Sequence, residues 1–347
     1  MNVSLHSKQQ NHAHLSISDV LVEMEKNMTR LTTTMEEARV LRSLGTLMTS
    51  GTALINGLPL VAKEFPNFAP ALDTVGKQLV DVNMTTELFA GLDEYFSSFV
   101  PHIMKYGGMG GVPDRALLLA SEMLDSAEKL LARGVPQVKI NEVNYYRLLA
   151  FMVHGNCPIL TAMKIAGEEY LPAEIRASVE KPVRKGDMLS DGFRANPDFF
   201  SEVGIAFVFV GEMTGALPEV CEAYAKLRLR QLFLPASPQS EEILDYGHLR
   251  LLLLFVSNAM PLEKFLTVVS KASATPSRKA AFEALAAKVK DDKSDTALGN
   301  AMQSMPDDFA PWITTLVQQA KTPEELENVF GKVIDQLCQQ LGKEKAP

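Results

Sequence analysis

Glycines at one fixed interval constrain this chain more than any local pattern does. Gly51, Gly107 and Gly111 recur 104 positions later as Gly155, Gly211 and Gly215, and Phe89 and Phe96 recur at the same step as Phe193 and Phe200. A shared period is the mark of duplicated structural units. The 347 residues accommodate three units of about that length plus an N-terminal extension. A unit of this size can bury its own core.

Composition then narrows the fold class. Aromatic residues are sparse at 7 %, with Trp312 the single tryptophan, while Met, Leu and Ala are plentiful. These unbranched side chains lose little rotamer freedom in a helix, so the balance favours helix over sheet. The formal net charge of −8 argues against a nucleic-acid surface, which needs clustered Lys and Arg to displace counterions from phosphates. It also disfavours broad adsorption to anionic lipid. Cys157, Cys221 and Cys338 stand far apart with no paired spacing, which reads as reduced thiols in a cytosolic protein rather than a disulfide framework or a zinc site. Residues 1–15 are polar and read as a disordered tail with no secretory signal. Two apolar windows, 249–260 and 203–210, are broken by polar residues or too short. Neither reaches the roughly 20 apolar residues of a spanning helix.

Along the chain, residues 16–38 are expected to form an amphipathic helix. Its apolar positions Leu21, Met24, Met28, Leu31, Met35 and Ala38 step by three and four, a short heptad-like seam. That seam fits either a helix laid against the first bundle or a dimerising coiled coil. Unit one then spans 39–131, unit two 142–232 and unit three 241–341, with breaks at Gly134-Val135-Pro136 and at the proline-punctuated stretch 235–240. Such stretches mark links between domains. In unit three, Pro261 answers Pro158 at an offset of 103, but Leu298 and Pro306 answer Leu189 and Pro197 at 109. Six extra residues are therefore expected in its polar run 288–295. Within unit two the pattern predicts a short helix around 148–152, one after Pro158 and one from Pro172 stopped by Gly186. A short helix over 189–194 and two long ones, 199–210 and 217–232, complete it. The fold class expected is all-α: three tandem antiparallel six-helix bundles behind an amphipathic helix.

Unit two carries a recognisable order of residues: Gly155; Gly186, Leu189, Ser190 and Phe193; Asn196, Pro197 and Phe199; then Gly211, Glu212, Gly215 and Leu217. In this order it resembles the type II secretion F domain of the inner-membrane platform proteins of type II secretion and type IV pilus assembly. Unit one keeps Gly51, Gly107 and Gly111 but has Gly108 and Pro113 where unit two has Glu212 and Leu217. Unit three keeps Leu326 but has Ala320, Lys321 and Glu324 at the glycine, glutamate and second-glycine positions. The resemblance implies a six-helix bundle per unit, no catalytic activity, and contacts with an assembly ATPase and neighbouring platform, pilus or secretion components. It also implies a cytoplasmic location, at most peripheral at the inner membrane. Homo-oligomerisation is compatible with it. Platform proteins carry membrane helices and this chain shows none, so a soluble relative docking on such a machine fits better than the platform itself. A helical scaffold of an unrelated complex is the alternative.

The residues give no constellation for catalysis, cofactor or metal. The run Tyr106 to Gly111 lacks the Lys-Ser/Thr of a phosphate loop, and by the repeat it corresponds to the corner at Gly211. An EF-hand register begun at Asp291 would put Thr296 at the required glycine and Met302 at the bidentate glutamate. His154 lies three residues from Cys157, with no orienting group or oxyanion site in view. Gly211 and Gly215 are expected to bracket a tight helix corner, with Glu212 near the N-terminus of the last helix, where a carboxylate meets exposed N–H groups.

Overall fold

The computed structural model describes residues 34–81, 88–235, 237–256, 261–273, 275–292 and 294–343. Among these, the regular backbone is helical and contains no strand. Three successive runs of helices follow the chain. The first holds α1 (34–49 of the described residues), α2 (Leu54–Glu64), a 3-10 turn (Pro66–Phe68), α3 (Ala69–Asp81), α4 (Val100–Met109) and α5 (Pro113–Ala132). The second holds α6 (Gln137–His154), α7 (Ile159–Tyr170), α8 (Ala173–Arg184), α9 (Leu189–Arg194), α10 (Glu202–Thr214) and α11 (Leu217–Phe233). The third holds α12 (Pro238–Val256), α13 (Leu262–Ala272), α14 (Pro276–Asp291), α15 (Ala297–Gln303), α16 (Pro311–Gln319) and α17 (Pro323–Lys343).

In each run the first helix lies along the last. α6 packs on α11 and α12 on α17. α1 meets α5 through Ser121 Oγ, which donates to the Ala38 carbonyl at 2.6 Å, and through an Arg42–Asp125 ion pair at 3.1 Å. The apolar window 203–210 becomes part of α10. Val203, Ile205, Phe207, Val208 and Val210 are all buried, because α10 packs against α9 and α11 of its own run and α12 and α13 of the next. A helix apolar all round belongs in a protein interior. No helix among the described residues is long and apolar enough to cross a membrane.

The periodic phenylalanines meet each other. Phe89 and Phe96 pack edge to face with centroids 4.8 Å apart, and Phe193 and Phe200 stack at 3.9 Å with ring planes 2° apart. Tyr145 and Tyr146 on α6 close around the second pair edge to face. Such contacts add to the area term of aromatic burial.

Several boundaries differ from the sequence reading. The division at 38/39 falls inside α1, which is continuous over 34–49; the rest of the 16–38 segment and the 1–15 tail lie outside the described residues. The second run starts at Gln137, and its short apolar helix at 148–152 is the end of the eighteen-residue α6. α10 starts at Glu202, because Ser201 is the N-cap and accepts from the Gly204 N–H at 3.2 Å; such a cap fixes a helix start. In the first run, residues 88–90, at the positions of the last three residues of α9, form a turn, and residues 91–96 repeat the turn that follows α9 at 195–200. Part of the extra length expected at 288–295 is helical: α14 has 16 residues against the 12 of α8.

Candidate functional site

The residues singled out in unit two converge on one end of the second run, where α9, α10 and α11 meet. Gly186 at φ +90 follows α8 and frees the chain to turn into α9. Leu189 begins α9 and is buried, while Pro197 is exposed in the turn after it. Gly211 shows the close backbone approach expected at this corner, although α10 runs past it to Thr214 instead of ending at 210. It sits in the last turn of α10, and a Cβ there would lie 2.8 Å from the Leu217 Cα, so only glycine lets α11 start so close. Gly215, at φ +72, ends α10 in the left-handed region and donates its N–H to the Gly211 carbonyl. This is a common glycine stop.

Glu212 acts on a different helix from the one expected. It lies within α10, and its carboxylate accepts from the Leu189 N–H at 2.5 Å and the Ser190 N–H at 3.1 Å. Those are the free amides at the start of α9, so the acid caps that helix across the corner. The chemistry expected of Glu212 is kept and its target is corrected. We expect Glu212→Ala to cost about 1–3 kcal/mol, because two partly buried donors lose their acceptor. Faster hydrogen exchange at the Leu189 and Ser190 amides, with α7 unchanged, would register it. Unchanged exchange at both amides would show that the cap carries no weight.

The other glycines divide into two groups. Gly51 and Gly111, at φ +91 and +71, end helices in open space. Gly107 and Gly155 lie where the first two runs meet. A Cβ on Gly107 would come within 2.6 Å of the Ala116 Cβ, and one on Gly155 within 2.5 Å of the Tyr106 carbonyl oxygen. Beside them opens a cleft of about 430 Å³ whose lining includes Tyr106, Arg115, Glu122, Arg147, His154 and Lys226. Arg147 is buried there and donates to Glu122 at 2.8 Å. His154 faces Glu219 at 3.8 Å rather than Cys157. Cys157 is buried, and burial pushes its thiol up, the opposite of an activated nucleophile. Among the described residues, no three His, Cys, Asp or Glu side chains group as metal ligands. Asp292 accepts locally from the Ser294 N–H.

Sequence reasoning missed a pair of buried carboxylates. Glu142 on α6 accepts from the Ser201 N–H at 3.1 Å and from Arg228 Nε at 3.3 Å, and Ser201 Oγ lies 2.6 Å from the Tyr224 hydroxyl. Glu37 on α1 accepts from Ser97 through both N–H, at 2.7 Å, and Oγ, at 2.9 Å. Ser97 and Ser201 stand 104 positions apart and Glu37 and Glu142 105 apart, so the period itself held the signal. Burial raises the Glu37 carboxyl to about 7 against the lowering effect of the Ser97 hydrogen bonds.

That shift has a definite sign. Between the unfolded value near 4.5 and the folded value near 7, the fold retains a proton that the unfolded chain has released. Stability from this group is therefore full below about 4.5 and falls as pH rises toward 7, by about 3 kcal/mol in order of magnitude. Glu37→Gln should flatten that part of the stability profile of the first run, as urea titrations at a series of pH values would record. An unchanged slope would show that Glu37 ionises freely in the fold.

The comparisons agree with this geometry. Residues 145–236 match the family model described as Type II secretion system (T2SS), protein F. No curated protein and no solved structure matches the chain. The matched stretch covers most of α6 and all of α7 to α11, including the Glu212 cap and the Phe193–Phe200 stack. The second run of helices is the part of the chain that matches the type II secretion system protein F family.

Proposed function

We propose that this chain is a non-enzymatic scaffold or adaptor of a type II secretion or type IV pilus-like assembly machine. It is built from three copies of the F-type bundle, of which the second has kept the family's residues. The observation that carries the reading is the F domain over residues 145–236, in a described chain with no helix able to span a bilayer. The kinship of the first two copies is supported by the phenylalanine pairs at the 104-residue interval and by the Ser97 and Ser201 contacts, whose glutamates fall within one residue of it. The recurring packing of first helix on last supports the three-copy arrangement.

In this reading the protein works in the cytoplasm, at most peripherally at the inner membrane, and presents helix surfaces to an assembly ATPase or to platform components. It could act as a single copy or a homo-oligomer without change to that role. Protein docking of this kind needs a rigid surface rather than a reactive group, and the F bundle supplies one. The test is a native pull-down of the tagged full chain from its own cells. Retention of an assembly ATPase, platform or pilus component supports the reading. Repeated recovery of only an unrelated complex, or of no machine component, overturns it.

A further inference from the structure

The first run carries an apolar groove between its second and third helices. α2 and α3 enclose about 520 Å³ between Ile55, Leu58 and Ala62 on one side and Leu72, Gly76 and Val80 on the other. Ile55 is 43 % exposed and Val80 73 % exposed, unusual for side chains of this type. An exposed ion pair, Lys77–Asp73 at 2.7 Å, is the charged feature among the lining residues. Shifted by 104, Leu72, Gly76 and Val80 become Arg176, Glu180 and Arg184. There the corresponding positions are charged: Arg184 pairs with Glu180 at 2.8 Å along α8, and the Arg176 side chain lies against Gly167 of α7. The second copy carries charged side chains at positions where the first has Leu72, Gly76 and Val80.

The first copy is also the one that follows the N-terminal segment. Asn67, in the turn between α2 and α3, donates to Glu36 Oε2 at 3.3 Å. The described chain therefore begins beside one end of the groove. The preceding residues carry the apolar series Leu21, Met24, Met28 and Leu31. At the helical rise, Leu21 to Leu31 would span about 15 Å, and Ala69 to Val80 along α3 spans about 16 Å. Burying four such side chains would stabilise the contact through apolar area alone.

We propose that residues 21–31 of the same chain dock in the α2–α3 groove and complete the first bundle. This rests on the 104-residue register and on nothing about secretion partners. The test places the photo-crosslinker p-benzoylphenylalanine at position 28 of the full chain. The expected product has the mass of one chain and joins position 28 to a peptide within 54–81. Val80→Arg, a change at a largely exposed site, should reduce that product at least tenfold while the fold persists. A product of twice the mass would show that a second copy takes the segment. Attachment elsewhere in the chain, no attachment to 54–81, or a yield unaffected by Val80→Arg would likewise overturn the proposal. Partner binding is not read in this experiment, so its failure leaves the F-domain reading standing.

Discussion

Phe193→Ala should destabilise the second bundle by about 3–5 kcal/mol, the usual cost of emptying a fully buried aromatic site. Phe193 is wholly buried, stacked on Phe200, with Tyr145 and Tyr146 set edge to face at 5.8 and 5.7 Å. It is also the anchor of the six-residue α9, which is too short to persist without tertiary contacts. Losing the ring therefore loosens α9 together with the amides that Glu212 holds. Urea unfolding followed by hydrogen exchange over residues 137–233 measures this, and Phe193→Leu, which refills more of the volume, should cost less. A Phe193→Ala protein as resistant to urea as the parent would mean the stack is not the centre of this bundle.

Gly155→Ala should act on the junction between the first two runs. Its backbone is ordinary, at φ −78, so the obstacle is space: the added methyl would lie 2.5 Å from the Tyr106 carbonyl oxygen. Both groups are main chain, and the end of α4 must move off α6. Overpacking of this kind costs about 1–3 kcal/mol. The consequence is legible in a thiol, because Cys157 is buried two residues away. Labelling of Cys157 by a thiol reagent should speed up about tenfold, in proportion to local opening. Gly57→Ala, whose new methyl would meet only ordinary contacts from 3.5 Å, serves as the comparison. Equal labelling in both variants would show that the junction yields without cost.

What the sequence disclosed and what it hid follow from range. α9 was legible to its end residues, because Gly186 on one side and Asn196-Pro197 on the other act locally. The start of α10 was misplaced because Asn196-Pro197-Asp198 resembles a helix opening, while the cap in use is Ser201. The target of Glu212 was invisible for another reason: it lies 23 residues back along the chain, and no local pattern encodes such a partner. Glu37 and Glu142 were overlooked because an acid on an amphipathic helix is read as solvent-facing by default. Residues 88–96 show how the period carries over. Phe89 and Phe96 meet as Phe193 and Phe200 do, but edge to face instead of stacked, with Phe89 itself at φ +69 in a turn.

The stability of a bundle and its employment are separate questions, and the second turns on neighbours in the cell. Crosslinking in intact cells, read by mass spectrometry at Lys164, Lys181, Lys185 and Lys226, tests it most directly. All four are exposed on the F bundle or its adjoining turn. The account expects links from these lysines to an assembly ATPase or a platform component of a secretion or pilus machine. Links that run only to the subunits of an unrelated complex would contradict it.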